Sequence, residues 1–260
     1  MTDNNIVMYA LLSTLVVSIL SFVGAFLFFI KTKVLKQILP LLICFSIGAL
    51  LGNAFFHLVP ESYFHLPSAH LTSWLILAGF LLFFIIDQVL HVHTNTKIHT
   101  HTDSHASGIK PYGYLSLYAD GIHNFTDGIL IGAAWMVMPE LGLATTLAII
   151  MHEIPQEVSD IGILIRAGFS KRKALLFNFG IACAAILGTA LTLWLGHRIG
   201  HLSTYILPVA AGGFIYLAAG SLLPEILKET AKRNLLLHLV VILAGLGLMY
   251  YLSLHSGHHH

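Results

Sequence analysis

The sequence predicts an all-α integral membrane protein: eight transmembrane helices in a 3+2+3 arrangement, with helices one to three and six to eight forming an inverted repeat around helices four and five. Three observations lead there. Hydrophobic residues make up 57% of the 260-residue chain, only 10% is charged and mean hydropathy is +0.83, whereas a soluble domain carries charge on roughly a quarter of its residues. Eight apolar runs alternate with short polar or Pro/Gly-bearing segments. Two of those runs share a motif that aligns without gaps.

The runs fall at about 6–30, 38–60, 70–92, 112–137, 141–166, 172–197, 203–226 and 234–254. A bilayer-spanning helix needs about 20 apolar residues, so eight of them use roughly 160 and leave no room for a separate soluble domain. The chain reads as a single transmembrane domain over 1–260. The first run lacks a basic leader and a small-residue cleavage site, and it is too long for a signal-peptide core, so it reads as a retained span.

Basic residues set the orientation. Lys31, Lys33, Lys36, Lys97, Lys110, Arg166, Lys171, Arg172, Lys173, Lys228, Lys232 and Arg233 fall in one alternating set of connections; only Arg198 falls in the other. By the positive-inside rule the crowded set is cytoplasmic and both termini are extracytoplasmic. A net charge of +1 with no clustered basic face excludes nucleic acid as a partner. Cys44 and Cys183 lie inside apolar runs and suggest neither a disulfide framework nor a thiolate metal site. The compact size without large ectodomains suits a bacterial inner (plasma) membrane.

The shared motif is Gly48-to-Glu61 (GALLGNAFFHLVPE) against Gly212-to-Glu225 (GGFIYLAAGSLLPE), which pairs Gly48 with Gly212, Pro60 with Pro224 and Glu61 with Glu225. Helix two runs outward and helix seven inward, so the repeat is inverted, as in secondary transporters.

Helices four and five carry what a membrane segment should avoid: Asp120, His123, Asn124 and Asp127, then His152, Glu153, Gln156, Glu157 and Asp160. Each ionised side chain at bilayer depth costs about 2.5–3.5 kcal/mol on the insertion scale, so five carboxylates cost on the order of 10 kcal/mol unless something offsets them. Bound cations are the natural compensation. In DGIHNFTDG the residues Asp120, His123 and Asp127 stand at i, i+3 and i+7, with Asn124 beside them on one helical stripe. In HEIPQEVSD, His152 and Gln156 are four apart, as are Glu153 and Glu157. The connection between the two helices is very short, so they pack as antiparallel neighbours with their stripes facing. Imidazole combined with carboxylate suits a first-row divalent metal such as zinc better than calcium or magnesium. Pro155 removes the helical donor of the Met151 carbonyl and predicts a bend or bulge among these residues.

This double pattern, His-Asn-Phe-x-Asp-Gly followed by His-Glu-x-Pro-x-Glu, resembles the ZIP (Zrt/Irt-like) family of divalent metal transporters, and the resemblance covers nearly the whole chain. Eight spans, outward termini, a His-bearing loop between helices three and four and the His-Leu-x-Pro-Glu ending of helix two all fit it. The resemblance implies transport of a divalent cation, with His123, Asn124, Asp127, His152, Glu153, Gln156 and Glu157 as the metal positions and Asp127 and Glu153 as bridging carboxylates of a two-metal centre. It also favours a homodimer. The closest branch has His where this chain has Gln156. An amide is a weaker ligand than imidazole, so oxygen-loving Mn2+ or Fe2+ compete with Zn2+ as cargo; Cd2+ is a further candidate, and zinc remains the first expectation.

Outside the central pair, His57 and Glu61 with His65 and His70 read either as an entrance for cations or as ordinary interfacial polar groups. Asp120 and Asp160 are further pathway positions. His91, His93, His99, His101 and His105 with Asp103 read as a disordered cytoplasmic loop over 93–110, which either holds metal loosely or serves as a solvated linker. Asp87 and Glu225 are candidates for an inner exit, and His258 to His260 carry no assignment. No Gly-x-x-x-x-Gly-Lys-[Ser/Thr] occurs, so nothing points to a P-loop pump. The competing reading is an intramembrane zinc metallohydrolase built on His152-Glu153. It needs a second histidine where Gln156 stands, and helix four would crowd its open coordination position.

Overall fold

The computed structural model describes residues 3–98, 109–199, 201–229 and 235–255, which contain helices and no strand. Helix one is α-helical over Asp3–Leu20 and tightens to a 3-10 helix over Ser21–Phe28. Helix two runs Thr32–Asn53, passes through a π turn at Ala54–Leu58 and ends with Val59–His65. Helix three is Ala69–Ile98, helix four Pro111–Val137 and helix five Pro139–Arg166. Helix six comes in two pieces, Lys171–Ala182 and Ala184–Arg198. Helix seven runs Leu202–Tyr216, a π turn at Leu217–Leu222 and Leu223–Glu229, and helix eight is Leu235–His255. Helices one, two, three, six, seven and eight each hold a stretch long and apolar enough to cross a membrane, so this is a multi-pass membrane protein. Helices four and five are the polar pair that falls outside that group.

Helix three outlasts its expected end. No Pro or Gly interrupts the chain between Leu90 and Ile98, and a helix already nucleated propagates until something stops it. His91 and His93 are therefore helical, which corrects their assignment to a disordered loop; His99, His101, Asp103 and His105 lie outside the described residues.

Prolines are handled in two ways. Pro60 and Pro224 each follow a π turn with one residue between, where the wider turn takes up the clash between a proline ring and the carbonyl four residues back. Helix five, in contrast, stays α-helical across Pro155 without the bulge the sequence suggested. Its orphaned Met151 carbonyl faces the buried hydroxyl of Ser46 on helix two at 2.5 Å. The carbonyl of Ala182, at the break in helix six, likewise accepts from Ser18 of helix one at 3.0 Å. These two freed backbone acceptors thus find protein donors, as hydrocarbon surroundings require.

Close crossings hold the bundle together. Between helices two and eight, a β-carbon at Gly48 would overlap the carbonyl of Ile242, and one at Gly245 the carbonyl of Phe45. Helices three and seven repeat the arrangement, with Gly79 against Val209 and Gly212 against Ile76. Helices four and six do so once more, Gly128 on Ala185 and Gly188 on Phe125, and there Thr189 donates to the Gly128 carbonyl at 2.8 Å. Small residues that let backbones touch are the means by which helices associate in lipid, where apolar burial alone gives no preference. Leu50, Ile131, Ile149, Leu207 and Phe214 fill the centre, while Phe84, Ile85, Leu187, Trp194, Leu236 and Leu243 face outward.

Two outcomes are expected in thermal unfolding of the detergent-solubilised protein. Gly128→Ala should destabilise by about 1–3 kcal/mol through overpacking, while Gly180→Ala, which meets nothing within 4 Å, should be neutral or slightly stabilising. Ser46→Ala should cost about 1–3 kcal/mol by leaving the Met151 carbonyl without a donor.

Candidate metal centre

Two prolines set the register of the central pair. Pro111 and Pro139 sit in the first turns of helices four and five, and each forces the residue before it out of the helical region: Lys110 has ψ 141° and Met138 is extended at φ −161°, ψ 149°. Met138 alone makes the reversal between the helices. At the opposite end of the hairpin the Lys110 amide donates to the Ala167 carbonyl at 2.8 Å. His123 lies 15 residues before Met138 and His152 lies 14 after it, so equal rise per residue brings the two imidazoles to the same height.

There they meet. His123 Nε2 is 3.2 Å from His152 Nε2, 3.3 Å from Glu153 Oε1 and 3.7 Å from Asp127 Oδ2. His152 Nε2 is 3.1 Å from Asp127 Oδ2 and 3.6 Å from Glu153 Oε1. All four ligand atoms lie within 4.8 Å of one another, the one such group found among the described residues. Asp127 and Glu153 are 0% and 1% exposed and His152 3%, whereas His123 keeps 17% of its side chain accessible and forms the open side. His152 Nδ1 lies 3.2 Å from the Ala148 carbonyl. A carbonyl only accepts, so this contact assigns the proton to Nδ1 and turns the Nε2 lone pair toward the cluster, as backbone carbonyls do for ligating histidines. Ligands about 2.0–2.1 Å from a tetrahedral zinc ion are separated by about 3.3–3.4 Å. Five of the six edges here measure 3.1 to 3.7 Å.

The other expected residues lie around this group. Asn124 is buried and donates its amide to Asp120 Oδ1 at 2.7 Å. Glu157, one turn beyond Glu153, accepts a short hydrogen bond from the amide of Asn178 on helix six. Asp160, half-buried, accepts from Ser116 at 3.3 Å. Gln156 is half-buried one turn on from His152. His57 is buried in the π turn of helix two, and Glu61, in the α-helical turns that follow, pairs with His65 at 2.7 Å. Asp87 accepts from Tyr216 of helix seven at 2.5 Å.

Asn178, Ser116 and Ser46 were missed from the sequence. A lone asparagine in the run Leu-Leu-Phe-Asn-Phe was the available signal for the first, since an amide in hydrocarbon needs a partner. Donors remain scarce. Asp120 Oδ2, Asn124 Oδ1, Asp127 Oδ1, Glu157 Oε1 and Asn178 Oδ1 are buried acceptors that no hydrogen-bond donor meets. Such a surplus of oxygen lone pairs is the environment of a cation.

The comparisons with known proteins agree with this chemistry. The ZIP Zinc transporter family model matches residues 5–110 and 90–253. Zinc transporter ZIP13 of Danio rerio is 33% identical over 86% of this chain and 79% of its own. Zinc transporter zipt-7.1 of Caenorhabditis briggsae is 30% identical over 83% and 71%, and zinc transporter YKE4 of Saccharomyces cerevisiae is 30% identical over 84% and 71%. With a family model spanning nearly all of the sequence and relatives covered over most of their length, this chain belongs to the ZIP zinc transporter family.

Proposed function

We propose that the protein carries a divalent metal ion, zinc in the first place, across the membrane toward the cytoplasm, and that His123, Asp127, His152 and Glu153 hold the ion between helices four and five. The observation that carries this reading is the near-tetrahedral spacing of the four ligand atoms. Membership of a transporter family sets aside the zinc metallohydrolase. Its essential second histidine is also missing, since Gln156 stands in that position.

The topology proposed with it is eight spans, with helices one to three and six to eight related by a two-fold axis in the membrane plane. Three correspondences support it. Gly48 and Gly212, paired by the repeat, each lie against a carbonyl of the partner helix, on helix eight and helix three respectively. The reciprocal contacts fall at the same offset: Gly48 and Gly212 each come three residues after Phe45 and Val209, whose carbonyls the opposite glycines meet. The π turns at Ala54–Leu58 and Leu217–Leu222 stand at matching places before Pro60 and Pro224. The one-sided distribution of Lys and Arg argues for outward termini. Inward passage of a doubly charged ion is then favoured by about 4.6 kcal/mol per 100 mV of inside-negative potential, at about 2.3 per charge. Rocking of the repeats about the central pair exposes the site to each side in turn, as in other inverted-repeat carriers.

In proteoliposomes containing a zinc-sensitive dye, His152→Ala and Asp127→Ala should lower the initial uptake rate at least about tenfold with the protein still inserted, the loss typical of a damaged metal site. Unaltered uptake, or peptide cleavage without flux, would refute the reading. Gln156→His adds a softer donor beside the site and should raise zinc uptake relative to manganese and iron; competition among the three metals in wild type and variant measures it.

A further inference from the structure

Helix one changes pitch within the membrane, and the change opens a groove. From Ser21 the chain tightens to three residues per turn, so side chains three apart eclipse and Phe22 and Ala25 fall in one row, with Ile19 in the α-helical turn before them. Ala25 is the smallest side chain in the groove, between Phe22 and Phe29. The groove is about 550 Å3 in volume, lined by Val16, Ile19, Leu20, Phe22, Val23 and Phe29 along with Ala25, every one of them apolar. That volume lies within the range of about 300–1,000 Å3 usual for small-ligand sites. Phe22 is fixed by stacking on Phe179 of helix six at 4.8 Å, so one wall does not collapse inward. By the rise per residue, Val16 to Phe29 covers about 20 Å, enough for an acyl chain crossing one leaflet of a hydrocarbon core about 30 Å thick.

One end of the groove is strongly basic. Lys31 follows two residues after Phe29, and Lys171 places its ammonium 4.8 Å from the centre of the Phe28 ring, next to Arg172. Lys31, Lys171 and Arg172 are exposed, and neither 28–38 nor 161–177 contains an acidic residue to balance them. An apolar groove with exposed cations close to one end is complementary to one class of molecule. We propose that this groove binds an anionic glycerophospholipid, one acyl chain lying over Ala25 and the phosphate held by Lys31, Lys171 and Arg172. The site lies behind the metal centre: Gly24, in the same 3-10 segment, sits against Ile161 and the Glu157 carbonyl of helix five, where a β-carbon would not fit. Bound lipid therefore braces the segment that backs the carboxylate-bearing helix.

The test measures lipid binding directly and does not depend on transport. Purified full-length protein in detergent is titrated with phosphatidylglycerol or phosphatidylcholine, and bound lipid is counted by native mass spectrometry. Phosphatidylglycerol should bind at least tenfold more tightly. The double variant Lys171→Ala/Arg172→Ala should lose about fivefold for each missing charge for phosphatidylglycerol, with phosphatidylcholine unaffected. Ala25→Phe, which fills the groove, should weaken both lipids. Equal affinity of the wild type for the two lipids, or unchanged phosphatidylglycerol binding in both variants, overturns the proposal. Because Ala25→Phe could disturb helix one, a phosphatidylglycerol with a photoreactive acyl chain provides a second reading on the wild type. Labelling within 16–29 supports the site, and labelling confined elsewhere overturns it.

Discussion

Acidic groups in hydrocarbon must be enclosed, and this need organises the whole bundle. Asp120, Asp127, Glu153 and Glu157 are nearly inaccessible, yet the helices that carry them are those least suited to meet lipid. They can sit at membrane depth only if other helices shield them at contact distance. The reciprocal glycine crossings provide that closeness: four on six, and around them two on eight and three on seven. A single added methyl group at any of these crossings pushes two backbones apart, so the glycines protect the polar centre without touching it.

The second demand is on the backbone. Five prolines inside helical stretches leave carbonyls without their usual donors, and the remedies differ with position. At Pro60 and Pro224, toward the ends of helices two and seven, a π turn absorbs the irregularity. At Pro155, beside the ligands, a wider turn would rotate His152 and Glu153 relative to the rest of helix five and so away from His123 and Asp127. There the helix keeps its α geometry and Ser46 serves the orphaned oxygen from outside. The regularity of helix five at its proline is thus a condition of the ligand spacing.

Much of this was legible in the sequence, for identifiable reasons. Membrane class follows from composition, and the facing of His123, Asp127, His152 and Glu153 follows from α-helical spacing on two helices joined by a very short link. The nearly equal distances of His123 and His152 from Met138 were also there to be counted. What stayed hidden depended on contacts distant in the chain. Nothing in the local pattern marks Asn178 as the partner of Glu157, or Ser46 as the donor to Met151, because those pairings are made by helix packing. The π turn at Ala54–Leu58 was equally hidden, because the spacing of His57 and Glu61 was read on α periodicity alone.

The ligand set also bears on how a tight site can still let go. In the proposed site, two carboxylates and two neutral imidazoles around a divalent ion sum to zero charge, so a loaded site suits low-dielectric surroundings better than one stripped of its ion. Taken alone, that asymmetry would trap the ion. Beside the four ligands, however, Asp120 and Glu157 each retain a buried oxygen without a donor, as do the amides of Asn124 and Asn178 bonded to them. These groups offer a second set of lone pairs, all oxygen and lacking imidazole, which bind zinc less strongly than the first set. An ion leaving the histidines need not go straight into hydrocarbon or bulk water, because weaker acceptors stand next to them. If the ion is captured at the histidines as proposed, oxygen donors alone beside them would give it a weaker neighbouring site to step to.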